Sequence, residues 1–149
     1  MRVGDYCKHP VVSVAPRDTL HYAARQMREH HVGDVVVVQE RKGALVPIGI
    51  VTDRDLAIEI LASDTDPELV CVGDLVHDSL VTAHVDEELI AVLDKMSMAG
   101  VRRVPVVRRS GELVGILSLD DVLQLVAFQL TEVARIVSRQ QEKEARLRT

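Results

Sequence analysis

Gly49-Ile50-Val51-Thr52-Asp53-Arg54-Asp55 decides the fold, because it returns 66 positions later as Gly115-Ile116-Leu117-Ser118-Leu119-Asp120-Asp121. Each copy reads glycine, two aliphatics, a hydroxyl residue, two free positions and an aspartate. Upstream of it, Val3-Gly4-Asp5 returns as Val72-Gly73-Asp74, Val12-Ser13 as Val81-Thr82, Leu20 and Met27 as Leu89 and Met96, and Val32 and Val35 as Val101 and Val104. All these pairs are 69 positions apart, and the offset falls to 66 after a shorter second hairpin. Such a chain is two copies of one unit. They can pack about a pseudo-twofold axis, which brings equivalent polar residues to related clefts.

Within the first copy, Val11-Val12-Ser13-Val14 reads as a short strand, and Ala15-Pro16-Arg17-Asp18 as a turn with Asp18 as helix N-cap. Leu20, Ala23, Ala24 and Met27 fall at i, i+3, i+4 and i+7, one apolar face of a helix that ends near His30 and covers a sheet. Val35-Val36-Val37-Val38 is apolar and β-branched throughout, as a strand buried on both sides must be. Residues 39–43 form a charged turn, Pro47-Ile48-Gly49-Ile50-Val51 is the partner strand, and a second helix spans residues 53–61. The second copy follows suit: Leu80-Val81-Thr82-Ala83 is the strand, Asp86 the cap, and Leu89, Val92, Leu93 and Met96 the helical face. Residues 104–107 and 113–117 form its hairpin. The predicted fold class is α/β (α+β): two β-α-β-β-α repeats, each with helices on a short mixed sheet. Residues 1–62 are the first repeat, 63–70 a polar linker, 71–126 the second repeat, and 127–149 a C-terminal helix with a charged tail.

At 149 residues, 47% hydrophobic and 28% charged, the chain can bury a real core, and with 2% aromatics that core must be aliphatic. A formal charge of −5 argues against binding that depends on nonspecific attraction to a phosphate backbone, and the lack of stacking aromatics argues against single-strand binding. No apolar run approaches the roughly 20 residues that span a bilayer. The first residues, Met1-Arg2-Val3-Gly4-Asp5, lack the apolar stretch of a signal peptide, so a cytoplasmic protein is expected. Cys7 and Cys71 have no CxxC spacing, and Cys7 aligns with Val76, an apolar slot. Both are expected to be inert, reduced thiols. His30-His31 prompts a metal hypothesis, but adjacent side chains point apart and no ligand-spaced cluster follows, so no metal site is expected.

The chemistry of the closing motif follows from its place. A Thr or Ser at the end of a strand, just before a helix, sets its hydroxyl beside free backbone N–H groups that welcome phosphate or other oxygen-rich groups. An aspartate three residues on, in the first helical turn, can accept hydrogen bonds from a vicinal diol such as that of ribose. The glycine lets another group approach the backbone closely. Together these suit a nucleoside. The alternative is a capping box, in which Thr52 caps the helix and Asp55 reaches back to the cap's own N–H. The two roles are compatible.

With both motifs in register inside the repeat, the chain resembles a tandem pair of cystathionine-β-synthase (CBS) domains, the Bateman module, over residues 3 to about 125. The resemblance implies a non-enzymatic regulatory module of the energy-sensing kind. It would bind an adenosine-containing nucleotide (AMP, ADP or ATP, alone or with Mg) between the repeats and signal to an unidentified regulated protein. Carried over, Asp55 and Asp121 hold ribose, with Thr52 and Ser118 beside them. Adenine lies against backbone near Ser13-Val14 and Thr82-Ala83 and against Ile50 and Ile116, and Arg103 with Arg102 meets phosphate, a role its bidentate guanidinium suits. The first copy departs from this pattern: Gly33-Asp34 aligns with Arg102-Arg103, so an acid stands where the other copy offers a cation. Two inequivalent sites are expected, and Arg54 reads as an exposed arginine on the helix face, with a compensating charge as the alternative. Such modules pair into a flat four-domain disc, so a homodimer is expected.

Beyond the second repeat, Leu123, Val126, Leu130, Val133 and Val137 advance by 3, 4, 3 and 4, an apolar seam suited to a dimer interface or to packing on the same chain. No nucleophile–base pair or long glycine-rich phosphate loop stands out, so the chain is not expected to be an enzyme. Two competitors remain. A docking module would keep the fold without binding nucleotide, and a nucleic-acid binder would use Arg102-Arg103, Arg108-Arg109 and the basic tail.

Overall fold

The chain folds as two pseudo-twofold-related repeats followed by a long helix, in a computed structural model that describes residues 1–77 and 80–148. It divides into two compact units, Met1–Leu117 and Ser118–Thr149.

In the first unit the repeats build two three-stranded mixed sheets. One has the order β1 (Ser13–Val14), β2 (Asp34–Arg41), β3 (Ala44–Thr52), and the other β4 (Ala83–His84), β5 (Arg103–Val107), β6 (Leu113–Ser118). β2 is central, parallel to β1 and antiparallel to β3, so Val35 to Val38 are all buried, as their unbroken apolar run requires. Lys42 and Gly43 both take positive φ (51° and 79°), the two-residue hairpin turn whose twist matches its strands. The register skips between Val37 and Val38, a bulge in β3 that accommodates Ile48 as an extra residue. Pro47 is tolerated because β3 is an edge strand.

Helix α1 (Leu20–His30) buries Leu20, Ala23 and Met27, and α3 (Leu89–Ala99) buries Leu89, Val92 and Met96, the stripes that the spacing predicts. The caps differ from expectation. Thr19, not Asp18, caps α1, its hydroxyl accepting from the Tyr22 N–H at 3.1 Å, while Asp18 accepts from the Ala15 N–H in the preceding turn. Glu88 stands at the N-cap of α3 with no side-chain cap bond, and Asp86 lies two residues earlier. An aspartate cap is dispensable because the first helical N–H groups find carbonyls elsewhere in the chain: Leu20 N–H donates to Val70 O at 3.0 Å, and Leu89 N–H to Met1 O at 2.8 Å.

Those two bonds belong to an exchange between the repeats. Val3 N–H donates to Glu87 O and Gly4 N–H to Val85 O; in the mirrored set, Val72 N–H donates to Asp18 O and Gly73 N–H to Pro16 O. Each bond maps onto its partner through the 69-residue offset, so the leading segment of each copy lies on the other. Val72 is accordingly part of the first repeat's core with Leu20, Met27 and Val35, and Val70, Leu75 and Val76 pack against that core. Val3 is fully buried in the same way.

α2 (Asp53–Leu56) continues as a π-helical turn, Ala57–Ala62. In the second unit α4 (Leu119–Leu147) is a single helix of 29 residues, capped by Ser118.

The exchange explains why Val-Gly-Asp recurs. A Cβ on Gly73 would lie 2.9 Å from the Pro16 carbonyl oxygen, and one on Gly4 equally close to Val85 O. Both obstacles are backbone, so a side chain forces the leading segment off its partner. Gly73→Ala should therefore destabilise the protein by about 1–3 kcal/mol, seen as a fall of several degrees in Tm by differential scanning calorimetry.

Candidate functional site

The site is an open cleft of about 880 Å3 where the first closing motif meets the second repeat. β3 alternates: Pro47, Gly49 and Val51 are buried, while Ile48, Ile50 and Thr52 line the cleft. The opposite wall is Leu75, Val76, Leu80 and Val81, carried by the second repeat's leading segment. Gly100, Val101 and Arg102, between α3 and β5, and Arg103, the first residue of β5, close one end, and Asp53, Arg54 and Asp55 form the polar rim at the start of α2.

Thr52 and Asp55 form a complete capping box. The Thr52 N–H and hydroxyl both donate to Asp55 Oδ2, at 2.8 and 2.9 Å, and the Asp55 N–H donates to Thr52 Oγ1 at 3.2 Å. Both donors converge on one carboxylate oxygen, so the capping and ligand roles do not compete for the same atom: Oδ1 has no hydrogen bond among the described residues. In the second motif the Ser118 hydroxyl lies 2.5 Å from Asp121 Oδ2 and the Asp121 N–H donates to Ser118 Oγ at 3.2 Å.

The motif glycine has a packing cause. A Cβ on Gly49 would lie 2.7 Å from Val76 Cγ2, and one on Gly115 2.5 Å from Cys7 Sγ. The group that approaches each glycine is thus a side chain of the other repeat's leading segment, Cys7 in one copy and Val76 in the other. Their equivalence, read from the alignment, is physical.

Among the residues singled out from the sequence, Ile50, Thr52, Asp55, Arg102 and Arg103 come together in this cleft. Ser13, Val14, Thr82 and Ala83 do not line it. Ser13 and Val14 pair with Val36 and Val37, and Ala83 pairs with Val106 and is fully buried. Ile116 exchanges backbone bonds with Lys8, at 2.8 and 3.0 Å. Alignment places Arg102 and Arg103 in the second copy, yet they border the first copy's motif. Arg103 Nε is 2.8 Å from Asp34 Oδ2, with the two side chains 31% and 15% exposed. The leading-segment wall was missed; its signal was the apolar pair Leu75-Val76 after a glycine that recurs. Among the described residues no three His, Cys, Asp or Glu side chains gather as a metal-binding group, and no helix is long and apolar enough to cross a membrane.

A model of the CBS domain matches residues 3–62 and 72–127. The chain belongs to the CBS domain family. An uncharacterized protein of Methanopyrus kandleri is 32% identical over 141 residues, covering 95% of this chain and 70% of that one. The CBS domain pair of protein MJ0100, solved with 5′-methylthioadenosine and S-adenosyl-L-methionine, is 27% identical over 87% of this chain and 98% of that one, with a TM-score of 0.74. CBS domain protein PAE2072 from Pyrobaculum aerophilum, solved with AMP, is 25% identical over 85% and 99%, with a TM-score of 0.72.

The thiols of this CBS pair differ in their surroundings. Burial pushes the Cys7 thiol pKa up, outweighing its backbone hydrogen bond, and Asp5 adds to the rise, while Cys71 is only half-buried. Since the thiolate is the reactive form, iodoacetamide at pH 8 should label Cys71 in the native protein at least tenfold faster than Cys7, with the difference abolished in denaturant, as read by peptide mass spectrometry.

Proposed function

We propose that this chain is a regulatory module that binds an adenosine-containing nucleotide of the AMP, ADP and ATP class in the cleft beside Thr52 and Asp55. Binding favours one arrangement of the repeats or of two protomers, which a partner protein reads. The observation that carries the reading is the Asp55 carboxylate: one oxygen is spent on the cap, and the other is left on the rim of a cleft walled by Ile48, Ile50 and Leu75. That geometry offers an acceptor to a ribose diol and apolar surface to a base, with Arg102 and Arg103 at one end for phosphate. The adenosine compounds bound by the pairs of MJ0100 and PAE2072 support the same ligand class. No catalytic role is assigned.

A ligand that binds only the folded state stabilises it by about 2.7 kcal/mol at a hundred times its Kd. AMP at that excess should raise the Tm by several degrees, and Asp55→Ala should abolish the rise in a thermal-shift assay. The apo protein should lose only about 1 kcal/mol for the broken cap. A docking module without a ligand, the reading that the complete capping box would also permit, gives no shift with any nucleotide.

We further propose that the working form is a homodimer joined through α4. Leu123, Val126, Leu130, Val133 and Val137 are all exposed on that helix. Their 3-4-3-4 spacing is the period of a seam between two like helices, and a second copy supplies a matching one. Leu130→Asp should convert the dimer to a monomer in light scattering coupled to size exclusion, leaving the circular dichroism of the repeats unchanged.

A further inference from the structure

We propose that Asp34, through its ion pair with Arg103, limits the cleft to nucleosides carrying at most one phosphate. This rests on the nucleoside reading of the cleft and narrows it. The Arg103 guanidinium is the half-buried cation at the cleft's end, and Asp34 Oδ2 already lies 2.8 Å from its Nε. With Asp34 only 15% exposed, solvent and salt screen this pair far less than a surface pair. The next acid is close: a Cβ on Gly33, the neighbour of Asp34, would lie 3.2 Å from Asp53 Oδ2 and 3.9 Å from Arg103 Nη2. Asp34, Asp53 and Asp55 thus stand against Arg54, Arg102 and Arg103, and the acids and bases around the cleft balance before any ligand enters.

A monophosphate can use the guanidinium edge that Asp34 leaves, since an arginine presents five donors in a fixed fork. A triphosphate brings further negative charge into a balanced site beside a fixed carboxylate, and like charges at short range in a poorly solvated place repel strongly. Breaking the pair to free Arg103 is costly, because a largely buried carboxylate then loses its contact with the guanidinium. Asp34 therefore acts as a specificity determinant that need not touch the nucleoside.

Calorimetric titration of AMP and ATP in EDTA, on wild type, Asp34→Asn and Arg103→Met, tests this. Wild type should bind AMP at least tenfold more tightly than ATP. Asp34→Asn should tighten ATP at least tenfold while changing AMP less than threefold. Arg103→Met, which leaves Asp34 without this partner, should widen the preference and keeps the test open if the first variant fails to fold. An AMP-to-ATP ratio unmoved by either substitution, or a wild type that binds both alike, overturns the proposal and leaves the nucleoside reading standing. Binding of neither nucleotide to wild type overturns both.

Discussion

The exchange of leading segments is the constraint on which the rest depends. Neither repeat closes its own core: Val72 fills the first and Val3 the corresponding place in the second half. The first N–H of each main helix is satisfied by a carbonyl from the other copy's segment, Val70 for Leu20 and Met1 for Leu89. A buried apolar residue and a satisfied helix terminus are each worth on the order of 1–2 kcal/mol. The repeats therefore fold as one cooperative body, and separating them would expose apolar surface and orphan helix donors together.

The site inherits its shape from that exchange. The leading segment that completes the first core, Leu75 and Val76, also walls the cleft, so cleft lining and core contacts share one short stretch of chain. The period-2 alternation of β3 sends Val51 inward and Ile50 and Thr52 outward, and the strand ends where α2 needs a cap. Thr52 and Asp55 then hold each other in a geometry that needs no ligand. Their side chains are held in place by those bonds, so little side-chain entropy is left there to remove.

Much of this was legible in the residues themselves. The repeat, the strand and helix order, the buried run of β2 and the helical stripes all follow from local periodicity, which tertiary contacts reinforce. The caps of α1 and α3 did not follow, because Asp18 and Asp86 are good cap residues by type, and the carbonyls that make them unnecessary come from far along the chain. The site was half legible. Thr52, Asp55 and Ile50 lie within one motif, but their basic neighbours Arg102 and Arg103 arrive from the other repeat. An alignment of copies pairs residues by equivalence, whereas a twofold packing pairs them across the axis. Ser13, Val14 and Ala83 stand in strands as expected, paired with Val36, Val37 and Val106.

Asp34 and Arg103 are each other's equivalents under the 69-residue offset, and they touch. A contact between equivalent positions can only sit on the symmetry axis. In an assembly of two identical single-repeat chains that position would face its own copy, so a charged residue there would meet a like charge and one of the two would be driven toward its neutral form. Joining both repeats in one polypeptide lifts that restriction, and an acid can stand opposite a base. The fused chain can place a charge pair at the one point where a symmetric dimer cannot.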